Sequence, residues 1–245
     1  MAYIIDMKNE NENDTITKQV TQEFYRDYIS NQTFKSKFKE RYLYIKRNMY
    51  IKRNMYIKRN MYIKRNMYIK RKYELKLPVE EIIKEYFVEI FSYIVIPYDI
   101  LLIIADYLKT MDIKYVIDPC CGNAFHTFLF NEFTDFITTS IDNQKEPNSW
   151  LEVIEQDGVE YIKNMNELEH QRGALILSYI KEDKLACELL NSYEGNIIIS
   201  IGNYDNLFPN YLLRLNRNYN LQKRIILKMP WDLEEKIEIY LKKNI

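Results

Sequence analysis

The spacing of apolar positions divides this chain into two unlike parts, and an orderly pattern sets in near Leu77. Over 79–94 and 98–109 apolar residues recur at three- and four-residue steps, which predicts two amphipathic helices on either side of Pro97. From there short β-branched runs alternate with helical spacing. Strands are predicted at 113–117, 136–141, about 152–155, 174–178 and 196–201. Helices are predicted at about 123–132, 158–169, 182–191 and 205–216. Two last runs, 221–228 and 236–241, are joined by Met229-Pro230-Trp231-Asp232 and read as neighbouring strands. The alternation implies an α/β fold: a doubly wound, mainly parallel sheet covered by helices, with a C-terminal antiparallel strand pair. Such sheets hold ligands outside the carboxyl ends of their strands, where the strand order reverses.

The first part of the chain lacks this order. Residues 1–43 form a polar extension in which one helix, near 17–29, is predicted. Residues 44–73 are a tandem repeat: Tyr-Ile-Lys-Arg-Asn-Met begins at Tyr44, Tyr50, Tyr56 and Tyr62, and a partial copy begins at Tyr68. On an α-helix a six-residue step rotates successive tyrosines by about 120°, so the tract has no apolar face. As a strand it has none either, since one side reads Tyr, Lys, Asn and the other Ile, Arg, Met. Perfect copies point to recent expansion under little packing constraint. Two uses fit: a solvated basic linker or exposed helix, or an electrostatic contact for RNA, DNA or an acidic surface, with tyrosines available for stacking.

Charge sharpens the division. The formal net charge is zero, yet residues 41–73 hold twelve basic side chains and no acidic one, while 74–245 hold 17 basic and 28 acidic. A basic arm is thus joined to an acidic domain. Hydrophobic residues make up 47% of the chain, enough for a core, and the 5 glycines and 6 prolines are too few for a loop-rich all-β protein. Heavy use of Lys, Asn, Ile and Tyr suits an AT-rich genome, such as that of a large DNA virus or a protist. Cys120, Cys121 and Cys187 show no paired spacing, which favours a reducing intracellular setting, cytoplasmic or nuclear. No apolar run reaches the roughly 18 residues of a membrane span, and no membrane role is expected.

The candidate chemistry gathers at strand ends. Residues 115–117 run into Asp118, turn through Pro119-Cys120-Cys121-Gly122, and open a helix after Asn123-Ala124. A carboxylate here repels a pyrophosphate but suits a ligand that carries positive charge. Asp142 and Asp157 also follow predicted strands, the latter with Gly158 behind it. A G-x-G-x-x-G loop is missing because Gly122 stands alone, which disfavours a nicotinamide dehydrogenase. There is no G-K-[ST], which excludes a P-loop.

Asp118-Pro-Cys-Cys-Gly-Asn-Ala124 resembles the first motif of class I, Rossmann-like S-adenosylmethionine-dependent methyltransferases, and the resemblance covers about residues 95–245. It implies S-adenosylmethionine as cofactor. Asp118, Cys121, Gly122, Asn123 and Ala124 would lie beneath its methionine and ribose. Asp142 would bind the ribose hydroxyls, and Asp157 with Gly158 would meet the adenine. The strand-four end reads Ser178-Tyr179-Ile180-Lys181, without the paired prolines of amino-methyltransferases, and Ala124 stands where a second glycine is usual. Ser178 and Tyr179 are the catalytic candidates at that end. His126 is expected to be a satisfied core histidine and His170 a solvated one, and no cluster has metal-ligand spacing. Two functions follow: a methyltransferase acting on nucleic acid or protein, or an inactive methyltransferase-like interaction module whose basic tract binds nucleic acid.

Overall fold

In the computed structural model, residues 6–8, 14–19, 28, 30–41, 43–44, 88, 91–147, 149–204, 208–229 and 234–243 are described. The alternation expected from residue 98 onward is realised in order. Helix α1 (Tyr98–Thr110) leads into β3 (Tyr115–Asp118), α2 (Phe125–Phe133), β4 (Ile137–Asp142) and the two-residue β5 (Ile154–Glu155). Then come α3 (Gly158–Lys163), α4 (Glu167–Gln171), β6 (Gly173–Ser178), α5 (Asp183–Ser192), β7 (Ile197–Ile201) and α6 (Pro209–Asn218). The chain closes with β8 (Tyr219–Lys228) and β9 (Glu234–Lys242), and two strands precede it all: β1 (Asp6–Lys8) and β2 (Asp14–Gln19).

Among the described residues these strands make one nine-stranded sheet in the order β1-β2-β8-β9-β7-β6-β3-β4-β5. Strands β3 to β7 run parallel. The antiparallel β9 is inserted between β7 and β8. From β3 the chain first winds outward to β4 and β5, then returns to β6 on the other side. The switch point therefore lies between β3 and β6, and the loops at their carboxyl ends frame the site.

Both faces of the sheet are covered, which is why its central strands read as apolar runs rather than alternating ones. In β7 all five residues, Ile-Ile-Ile-Ser-Ile, are buried. Ile197, Ile199 and Ile201 pack with α1, α2 and Trp150, while Ile198 packs on the opposite face with Leu189 of α5 and Leu215 of α6. Each such isoleucine contributes about 2–3 kcal/mol over leaving it in water.

The N-terminal extension corrects one expectation. Thr17–Gln19, predicted to begin a helix, belong to β2, which pairs in parallel with β8. The β-branched run Thr15-Ile16-Thr17 suits a pleated edge, and Ile16 is buried in the first core cluster. Beyond it, Tyr28 and Phe34 are fully buried, and Phe34 stacks on Trp150 with ring centroids 5.5 Å apart. The helix predicted over 79–94 lies largely outside the described residues, and its last four, 91–94, are not helical. The helix predicted over 158–169 is two helices, because Asn166 and Glu169 form a capping box that starts α4 anew. The repeat tract lies outside the described residues after Tyr44.

Candidate cofactor pocket

The loop leaving β3 is held by backbone contacts and two carboxylates. Cys121 N–H donates to Ile141 O at 2.9 Å, and Gly122 N–H donates to Asp142 Oδ2 at 2.8 Å. Gly122 has φ +53°, and the space where a Cβ would stand is open for 4 Å. Asp142 Oδ1 accepts from Gln144 N–H at 3.2 Å. The same carboxylate thus shapes the loop from one side and fronts the pocket from the other.

Asp118 lies deeper. It is 1% exposed, and its Oδ1 accepts from Cys120 N–H at 3.3 Å. Burial pushes its carboxyl up to about 7; the Cys120 N–H opposes this, and the Asp142 charge adds to it. Burial and the same acids push the Cys120 thiol up to about 12 and that of Cys121 higher still. Both thiols are protonated at neutral pH, so neither is a nucleophile here.

Ala124 has φ +59°, the left-handed conformation, directly before α2. It keeps the geometry of a glycine while carrying a methyl group, at about 1–2 kcal/mol. Ala124→Gly is therefore expected to hold stability within about 1 kcal/mol of wild type, since relief of strain offsets the more flexible unfolded chain. Chemical denaturation measures this. A loss above about 2 kcal/mol would contradict the strain assigned to Ala124. Asn123 is occupied structurally: its Nδ2 donates to Phe91 O, and its Oδ1 accepts from Phe125 N–H at 3.0 Å.

After β5, Asp157 caps α3 by accepting from Glu160 N–H at 2.9 Å. Gly158 is pressed beneath the first loop, where a Cβ would stand 2.2 Å from Pro119 O. At the end of β6, Tyr179 takes φ +47° and donates its N–H to Ile201 O at 3.1 Å. Its ring stacks on Tyr93 at 4.7 Å between centroids. The Tyr179 hydroxyl is buried without a hydrogen-bond partner of normal geometry, and burial and the Glu235 charge raise its pKa far above the phenolic range. Ser178 Oγ lies 3.2 Å from His126 Nδ1.

These residues enclose a cavity of about 940 Å³ at the carboxyl ends of the strands. It brings together Cys121, Gly122, Asn123, Asp142, Asp157, Gly158, Ser178 and Tyr179. Asp118 and Ala124 stand behind its lining. Sequence reasoning missed Tyr93 and Arg41, which complete the wall, and Arg41 ion-pairs with Glu146 at 3.0 Å. His126 is the satisfied core histidine expected, 4% exposed with both ring nitrogens engaged, and it also lines the same cavity. His170, expected to be solvated, is buried instead: its ring packs by Tyr193 and its Nδ1 accepts from Glu194 N–H at 3.3 Å. It borders a second depression, of about 1020 Å³, between α3, α4 and α5 and away from the strand ends. Among the described residues no group of His, Cys, Asp and Glu is placed to hold a metal ion, and no helix is long and apolar enough to cross a membrane.

The sheet order, with β9 reversed between β7 and β8 and a pocket at the switch point, is the class I methyltransferase-like fold. No family model and no curated protein sequence matches the chain. Among solved structures it is similar to a methyltransferase from Geobacter sulfurreducens, at 9% identity over 76% of this chain and 96% of that one, with a TM-score of 0.45. It is also similar to an rRNA methylase from Streptococcus thermophilus, at 14% identity over 58% of this chain and 95% of that one, with a TM-score of 0.39.

Proposed function

We propose that the chain is an S-adenosylmethionine-dependent methyltransferase. The observation that carries this is the convergence, on one cavity, of the Gly122 loop, Asp142 and Asp157-Gly158 along one wall with Ser178 and Tyr179 along another. The residues fit the cofactor in size and charge. A cavity of about 940 Å³ accommodates a nucleoside with an amino-acid arm. Asp142 offers acceptors for ribose hydroxyls, Gly122 leaves room for close approach, and the acids around the loop favour a cation over an anion.

The bound cofactor supplies an electrophilic methyl group on sulfur. The protein's part is then largely positioning. Asp142 and the Gly122 loop orient the ligand, Asp157 and Gly158 meet its adenine, and the Tyr93–Tyr179 stack gives the acceptor a flat wall. The basic tract at 44–73 is proposed to deliver a nucleic-acid substrate, its Lys-Arg pairs contacting phosphates.

Calorimetric titration with S-adenosylmethionine and S-adenosylhomocysteine tests the reading. Both are expected to bind at micromolar concentration. Asp142→Ala should weaken both about 100-fold or more, because two hydroxyls lose a charged acceptor. Silence from both ligands with a folded protein would reject cofactor binding and favour the interaction module.

A further inference from the structure

His126 sits in the first turn of α2, 4% exposed, with both ring nitrogens engaged. Nε2 lies 3.2 Å from Ile94 O, and Nδ1 lies 3.2 Å from Ser178 Oγ. A carbonyl only accepts, so Nε2 carries the proton and Nδ1 is left as an acceptor. The Ser178 hydroxyl must then donate to Nδ1, which turns the serine's lone pairs toward the cavity that both residues line. This is a base oriented by a third group, with a hydroxyl between it and the ligand space.

From this geometry we infer that Ser178 and His126 form a proton exit route for the methyl acceptor, and that the acceptor is a conjugated nitrogen or a hydroxyl rather than an alkylamine. The inference rests on the transferase reading above. The bond from acceptor to methyl carbon forms as the carbon–sulfur bond breaks, and that electron pair stays on sulfur, which becomes a neutral thioether. The acceptor's proton passes to Ser178 Oγ while the Oγ proton passes to His126 Nδ1, and the imidazolium later releases it to water. Ser178 touches the acceptor; His126 acts through it as a positioning residue and proton store.

The acceptor class follows first from the cavity wall, where the Tyr93–Tyr179 stack beside Ser178 suits a flat, conjugated group, and the buried His126 ring supports it because it holds a proton weakly. Burial lowers its pKa to about 4, with the Ile94 carbonyl acting the other way. Asp118 at the end of β3, Asp142 at the end of β4 and Tyr179 after β6 are the titratable groups at the surrounding strand ends, and none of them is a cause of that shift. A base this weak takes protons only from an acceptor that becomes strongly acidic as the methyl arrives. A conjugated amine, an amide or a hydroxyl does so. A lysine ammonium, near pKa 10.4, does not.

The test has two arms. Histidine labelled with ¹⁵N gives two side-chain signal sets, since the chain has only His126 and His170. His126 is expected to be neutral and Nε2-protonated from pH 5 to 9, with its Nδ1 signal moving in Ser178→Ala. A charged ring at pH 7, or the Nδ1–H tautomer, overturns the relay whatever the acceptor is. In the second arm, methyl-labelled S-adenosylmethionine is incubated with total RNA, DNA and protein, and the modified group is identified by mass spectrometry. Ser178→Ala and His126→Asn should each slow labelling about 100-fold with cofactor affinity held within twofold, and the double variant should be no slower. Multiplied losses, singles that keep more than half the rate, or label on lysine amines would overturn the inference and leave the transferase reading standing. No labelling by wild type would overturn both.

Discussion

Adding a single methyl group at Gly158 is expected to cost the fold about 3 kcal/mol and lower the melting temperature by about 10 °C. The new Cβ would stand 2.2 Å from Pro119 O and 2.9 Å from Pro119 Cβ. Backbone on one side and a ring carbon on the other cannot rotate away, so α3 and the Asp118–Gly122 loop must part. The damage would extend to cofactor affinity, because the two segments pack together along one wall of the pocket. Gly122→Ala is the informative contrast. It meets nothing within 4 Å and is strained only through its φ of +53°, so a cost of about 1–2 kcal/mol is expected. Thermal denaturation of the two variants ranks them. Equal losses would show that loop conformation, and not the contact with Pro119, governs the junction.

The second large effect concerns Asp118. Its folded pKa, about 7, stands above the ordinary value of 3.8. The native state therefore binds the extra proton between these values. The group's contribution to stability is fully present below 3.8 and is lost as pH rises through 7. Asp118→Asn removes the titration. It should leave stability near wild type at pH 4 and raise it at pH 8 by up to about 4 kcal/mol, the full value of the shift. Comparing variant with wild type matters, since His126 works in the opposite sense. Its folded pKa of about 4 lies below the ordinary 6.5, so its contribution is present above 6.5 and is lost as pH falls through 4. A cationic ligand should pull the Asp118 proton off. S-adenosylmethionine is then expected to bind more tightly as pH rises through 7, while S-adenosylhomocysteine, which lacks the sulfonium charge, and the Asn variant show less dependence. A stability difference between wild type and Asp118→Asn that does not change from pH 4 to 8 would refute the assignment.

What could be read from the sequence is what depends on neighbours along the chain. Ile197–Ile201 and Gly173–Ser178 declare themselves because a parallel strand buried on both faces must be apolar throughout. Asp142 and Asp157 could be placed because strand ends can be. Asp118 shows the limit of that reasoning: its position at a strand end was legible, but not that its carboxylate turns under the loop. Contacts made across long separations left no local trace. Ser178 and His126 are 52 residues apart, and a helical pattern says nothing of which serine a histidine meets. The Tyr93–Tyr179 stack and the Arg41–Glu146 pair are hidden for the same reason. Strand β2 was misread because a short β-branched segment is decided by the edge it finds.

That edge belongs to β8, whose residues Lys223–Lys228 register with Asp14–Gln19. On the ribosome the N-terminal partner is made about 200 residues before the C-terminal one, an interval of roughly 10–40 s at ordinary elongation rates. During that time β2 has only the three-residue β1 beside it, and its other side is unpaired. Strands β3 to β7 are complete before the β1–β2 pair can be admitted, so a chain stalled before residue 219 would carry the free side of β2 as an open template for other chains.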